Sequence, residues 1–317
     1  MTVMVRISNK IIFLLIFFFL QNKVFAQDFL LAMENRTGLM SGLVNEYVYR
    51  DDKQISRLEW DIETIPYIDT ILTFSWKWFF AEGSITASIP ANSGSMRNHD
   101  YLLPDSTALT NFSEHTAFLD RFIDYSLSLG FKTSFDRLWF ISSFGFQLSN
   151  RKWTARDGYY QNANFGSVLQ GNEPINNISG DVVTYEQKIS YFFINISPFY
   201  HFTDSFRLGA QFMFYPHIWA ESIDHHIIRR TEFYDVMHGG IGGSIGIFAG
   251  IKPFPIINFE FVIGCTYEKL FKQKGSITQR AVGINSSTEF LPTPSHTSGY
   301  DSELWRFFIG TRFFVGF

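Results

Sequence analysis

"INFEFVIGCTYE", residues 257–268, reads as two interleaved series. Ile257, Phe259, Phe261, Ile263, Cys265 and Tyr267 alternate with Asn258, Glu260, Val262, Gly264, Thr266 and Glu268. Successive side chains of a strand point to opposite faces, so a strand here has one oily face and one small or polar face. "DYSLSLGF" (124–131), "FRLGAQFMFY" (206–215) and "SIGIFAGI" (244–251) alternate in the same way.

The chain must then place its oily faces somewhere. Aromatic residues make up 18% of it and Phe alone numbers 37. A soluble sandwich also alternates, with the oily face inward. Two features point outward instead. The alternating runs reach about 10 residues, enough to cross a bilayer at a tilt, and their oily faces are crowded with the aromatics that gather at membrane interfaces. No segment beyond the N-terminal region is long and apolar enough for a membrane helix, and lipid otherwise admits only closed sheets. The expectation is an all-β chain forming a transmembrane antiparallel β-barrel. The last residues, "RFFIGTRFFVGF" (306–317), fit a closing strand with the terminal aromatic by which outer-membrane barrels are recognised for insertion.

Arg6 and Lys10 precede the apolar run "IIFLLIFFFL" (11–20), and Val24 and Ala26 supply small residues at a cleavage position. This pattern predicts a secretory signal over 1–26, with the mature chain starting at Gln27. Residues 27–317 read as a single barrel domain without linker. The one cysteine, Cys265, leaves no internal disulfide. A net charge of −4 gives no reason to expect nucleic acid as partner.

Short turn cues stand at "DRLW" (136), "TDSF" (203) and "KPFP" (252), between longer polar stretches at 92–115, 161–181, 224–235 and 279–301. Short and long connections alternate, as in barrels with tight periplasmic turns and long extracellular loops. Chemistry is then expected at the outer rim. His217, His225, His226 and His238 make a poor metal set, because adjacent histidines on a strand point apart and no zinc-type spacing is present. No metal is expected. No Gly-x-Ser-x-Gly elbow exists, and Cys265 falls on an oily face, so serine or cysteine catalysis lacks a candidate.

Several stretches, in order, resemble the omptin family of outer-membrane endopeptidases. They are "SGLVNEYVYRDDKQISRLEWDI" (41–62), "GFQLSNRKWTARDGYY" (145–160), "TYEQKISYFFINI" (184–196), "WAESIDHH" (219–226) and "KQKGSI" (272–277). The resemblance implies a barrel of roughly ten strands in the outer membrane, its site facing outside, that hydrolyses peptide bonds of polypeptide substrates. It implies an Asp/His pair activating water, matched by Asp224 and His226. Residues i and i+2 share a strand face, and histidine takes up a proton near neutral pH. On the opposite wall the family carries two aspartates, where "MRNHDY" has Asn98 and Asp100.

The resemblance further implies a preference for basic residues through an acidic pocket. Glu46 matches one of its carboxylates and nothing matches the second. Pairing of Glu46 with an interior arginine is the alternative. Lipopolysaccharide, needed by the family for activity, would meet Lys188 and, next to Asn150, Arg151; no other cofactor is implied. A lone lysine on a strand also snorkels to the interface. A catalytically silent barrel acting as adhesin or receptor, favoured by Asn98, and a narrow diffusion pore are the competing functions.

Overall fold

The computed structural model describes residues 29–103, 107–253, 258–282 and 290–316. The signal region 1–26 and part of the turn at 252–255 lie outside the described residues, so neither expectation is addressed by it.

Among the described residues twelve strands follow in order: β1 (Phe29–Arg50), β2 (Lys53–Trp76), β3 (Phe79–Ser88), β4 (Ala91–Asp100), β5 (Asn111–Phe135), β6 (Leu138–Asn162), β7 (Asn176–Asn177), β8 (Asp181–Thr203), β9 (Phe206–His226), β10 (Thr231–Ile251), β11 (Phe259–Ala281) and β12 (Leu291–Gly316). They form one antiparallel sheet that closes where β1 pairs with both β2 and β12. Both β3 and β4 lie between β2 and β5, one towards each end, and β7 only extends the edge of β6. The ring therefore has ten positions, as the family resemblance implies. Pro90, which has no N–H to give a ladder, stands at the break between β3 and β4.

The oily faces point outward, but only along half of each long strand. Exposed large apolar residues include Leu31 and Leu39 on β1, Leu72 and Trp76 on β2, Leu127 and Leu129 on β5, and Ile194 and Ile196 on β8. Phe212 and Phe214 on β9, Ile245 and Ile247 on β10, Ile263 on β11 and Phe307 and Ile309 on β12 complete the belt. All lie in the halves next to the short turns and the chain ends. The other halves carry charge on the outside. Arg57 lies 2.9 Å from Glu59, and Arg97 lies 3.3 Å from Glu59 and 2.8 Å from Asp61. The lipid-facing belt thus occupies one end of the barrel, and the other end projects into water.

The strands run further than their hydrophobic alternation indicates. Much of the polar stretches at 92–115, 224–235 and 279–301, read as loops, is strand in β4, β5, β9, β10, β11 and β12. Above the belt both faces meet water or polar groups, so the oil/polar contrast that marks a strand in sequence vanishes while the backbone ladder continues.

Within the belt the interior is filled by paired charges. Arg207 donates two hydrogen bonds to Glu260, at 2.5 and 2.8 Å, and Arg36 donates to Glu34 at 2.6 Å. Arg306 donates to Asp124 at 2.7 Å. Buried ions persist when paired in this way. Higher up, the rings of Trp60, Trp153 and Tyr185, all fully buried, lie against one another, with Trp60 stacked on Tyr185 at 5.6 Å. These rings reach from β2 to β8 and floor the upper end of the lumen.

Candidate active site

Above the aromatic floor a cleft of about 240 Å³ opens between two walls. One wall is β4 and β5, the other the tips of β8 and β9. Asn98, Asp100, Ser113, His115, His226 and Arg229 all line it.

On β9, Ser222 and Asp224 are buried, and His226 continues their inward row; Glu221 and Ile223 are exposed and His225 faces out with them. His226 Nε2 lies 2.7 Å from Asp224 Oδ2. A carboxylate only accepts, so Nε2 carries the proton, and the Nδ1 lone pair has no hydrogen-bond partner among the described residues. Phe233 packs edge-on against the imidazole at 5.4 Å. His225 approaches Glu232 instead, at 3.8 Å.

Asp224 is only 2% exposed and sits with Glu46 of β1, 3% exposed, and Asp235 of β10, 1% exposed. Asp235 stands directly across from Ser222, whose hydroxyl donates to it at 3.3 Å. One oxygen on each of the three carboxylates, Glu46 Oε2, Asp224 Oδ1 and Asp235 Oδ1, is buried without a partner. Burial raises Glu46 well above the usual carboxylate range, and the charges of Asp224 and Asp235 raise it further. Burial likewise pushes Asp235 up to about 8, with Asp224 adding to it and the Ser222 hydroxyl opposing. No interior arginine pairs with Glu46 among the described contacts. Asp235 was not singled out from sequence: it lies in a segment read as loop, and its partner Ser222 gives no hint of an acid across the ladder.

On the opposite wall Asn98 and Asp100 share the inward face of β4. The Ser56 hydroxyl bridges them, 3.1 Å from Asn98 Oδ1 and 2.8 Å from Asp100 Oδ1. Asn111 reaches the other oxygen of Asp100 at 3.4 Å. His115 is a further residue missed in sequence. Its Nδ1 donates to the carbonyl of Asp157, which leaves Nε2 as an acceptor, and burial lowers its basicity. Gly158, with φ of 101°, permits this approach, since a Cβ there would lie 2.0 Å from the Glu114 carbonyl oxygen.

The outer wall requires one correction. Arg151 does not face lipid: it is fully buried inside the barrel, its guanidinium 3.5 Å from Glu268 and over the Phe122 ring at 4.8 Å. The ladder parity makes the reason plain, because Asn150 takes the outward position and its neighbour must turn in. Lys188 does face out, in a shallow groove with Asn150, Trp219 and Glu221. The basic residue beside Asn150 comes from β5: Arg121 donates to Asn150 at 3.2 Å and to Glu186 at 2.8 Å. Among the described residues no group of three or more His, Cys, Asp or Glu is arranged to hold a metal ion.

The model of a family described as the Omptin family matches residues 29–313. Among solved structures, the outer-membrane protease OmpT of Escherichia coli is similar with a TM-score of 0.81 at 17% identity, over 94% of this chain and 99% of that one. The toluene transporter TodX of Pseudomonas putida (TM-score 0.29, 7% identity, 90% of each chain) and the attachment invasion locus protein Ail of Yersinia pestis (0.24, 11%, 88% and 99%) are far more remote. No curated protein matches the chain.

Proposed function

The chain belongs to the omptin family of outer-membrane barrels, and from that premise we propose that it is a cell-surface endopeptidase in which His226, held by Asp224, activates water for attack on a peptide carbonyl. The observation that carries this reading is the placing of His226, with its Nδ1 unpartnered among the described residues, in the same cleft as Asp100. A water between the two walls would give its proton to Nδ1, and Asp224 would stabilise the imidazolium that forms. Asp100, already oriented by Ser56 and Asn111, would hold the same water from the far side.

Specificity follows from the acidic well. Glu46, Asp224 and Asp235 each keep one buried carboxylate oxygen without a hydrogen-bond partner among the described residues, a setting that would favour a lysine or arginine side chain reaching them from the cleft. The chemistry sits in the half of the barrel that projects from the lipid belt, which supports a site facing the medium. Lys188, with Arg121 beside it, is the part of the outer wall suited to lipopolysaccharide.

Cleavage of a quenched peptide containing paired basic residues, by protein refolded with lipopolysaccharide, tests the proposal. Wild type should cut it, and His226→Ala should lose at least ~10³-fold in kcat/KM. A wild type as inactive as His226→Ala would leave the silent-barrel reading.

A further inference from the structure

We propose that Asn98 is the oxyanion donor of this cleft, a catalytic residue in its own right; the inference rests on the peptidase reading above. An amide carries no charge and cannot act as a base, but it offers two N–H donors. Its amide meets Ser56 on the wall side, where Oγ lies 3.1 Å from Oδ1; the single hydroxyl proton serves either this oxygen or Asp100. The Nδ2 group has no partner among the described contacts, and the residue lines the cleft. If the amide were turned over, Nδ2 would give one proton to Ser56 Oγ and still keep the other free, so both orientations leave a donor for the cleft.

Three further features agree. Ser56 ties Asn98 and Asp100 together, so the donor and the carboxylate that holds the water are fixed to one another. The two side chains sit on one face of β4, separated along it by about 7 Å, which leaves room for a carbonyl group between a water near Asp100 and an oxygen near Asn98. A neutral neighbour also spares Asp100 the repulsion that a second carboxylate would impose.

The step balances as follows. The water oxygen forms a bond to the carbonyl carbon while its proton passes to His226 Nδ1. The C=O π pair moves onto the carbonyl oxygen, and the resulting oxyanion accepts an N–H from Asn98. Collapse returns that pair, the C–N bond breaks, and the imidazolium gives its proton to the departing amine. The products are a carboxylic acid and an amine, with no co-reactant.

Steady-state kinetics of wild type, Asn98→Ala and Asn98→Asp from pH 5 to 9, beside His226→Ala, decide the matter. Asn98→Ala should lower kcat by about 10²–10³ with KM changed less than about 3-fold, the pattern of a donor used only in the transition state. Asn98→Asp is isosteric and so readable even if the alanine variant folds poorly. It should also fall well below wild type at pH 7, and its deficit relative to wild type at the same pH should narrow at pH 5, where repulsion from Asp100 lets part of the introduced carboxyl keep a proton to donate. An Asn98→Asp variant equal to or better than an active wild type at pH 7 would overturn the oxyanion role and leave the peptidase standing. A wild type no more active than His226→Ala would overturn both.

Discussion

Asp224 holds His226 from two residues back on the same strand, Oδ2 to Nε2 at 2.7 Å, so one β-strand supplies both members of the pair. Strand periodicity does the positioning, and no loop has to close to bring them together. The hydrogen bond fixes which ring nitrogen is protonated, hence which faces the cleft. Asp224→Asn can meet Nε2 with either end of its amide and no longer stabilises the imidazolium. It should lower kcat by about 10³ while leaving the thermal unfolding temperature in detergent within a few degrees of wild type.

Asp235→Asn should stabilise the empty protein at high pH. In the fold the carboxyl is pushed up to about 8, against roughly 4 in the unfolded chain. A raised carboxyl contributes stability that is complete below about pH 4 and is lost as pH rises towards 8. Asparagine does not ionise, so the variant should match wild type at pH 4 and exceed it by on the order of a few kcal/mol at pH 9. Urea unfolding in one detergent at both pH values measures this. Equal differences at the two would contradict it.

Burial makes Glu46 and Asp235 hold their protons more tightly than ordinary carboxyls, Asp235 up to about pH 8, and a cationic side chain reaching them should displace the proton. KM for an arginine-containing peptide should fall as pH rises towards 8, and the slope should flatten in Asp235→Asn. Glu46→Gln should raise that KM about 10- to 100-fold, in line with the loss of a charge-assisted hydrogen bond, and leave KM for a neutral peptide unchanged. Parallel losses for both peptides would remove the acidic well from recognition.

Arg151 and Lys188 should separate cleanly. Arg151→Met removes the guanidinium 3.5 Å from the buried Glu268, which keeps Tyr191, Tyr215 and the charge of Arg306, and should destabilise the barrel by about 3 kcal/mol. Lys188→Ala, exposed on the outer wall, should leave stability unchanged and weaken lipopolysaccharide binding several-fold in a vesicle flotation assay. The opposite assignment would show in the same two measurements.

The barrel was legible because Ile263 and Phe261 alternate with Gly264 and Glu260, as in any two-faced sheet, while the length of such runs and the aromatics crowding their oily faces set them against lipid. The inward sharing of Asp224 and His226 followed from the same period of two. What escaped sequence reading lies above the belt. Asp235 and His115 stand on strands whose two faces are both polar, so nothing in the local pattern marks the fold or the direction of the side chain. Arg151 was misassigned by one step of that alternation, and a single step reverses in and out. Meetings such as Glu46 with Asp224 and Asp235 join strands far apart in the chain, and only the closed ring sets them.

The apolar belt covers only the lower half of the staves, so bilayer and reaction chamber have separate solvents. Exchanging one detergent for another rewets the footing alone, whereas raising salt acts on the Arg57, Glu59, Arg97 and Asp61 lattice of the tower above it. Turnover should therefore follow ionic strength more closely than it follows the length of the acyl chain around the foot.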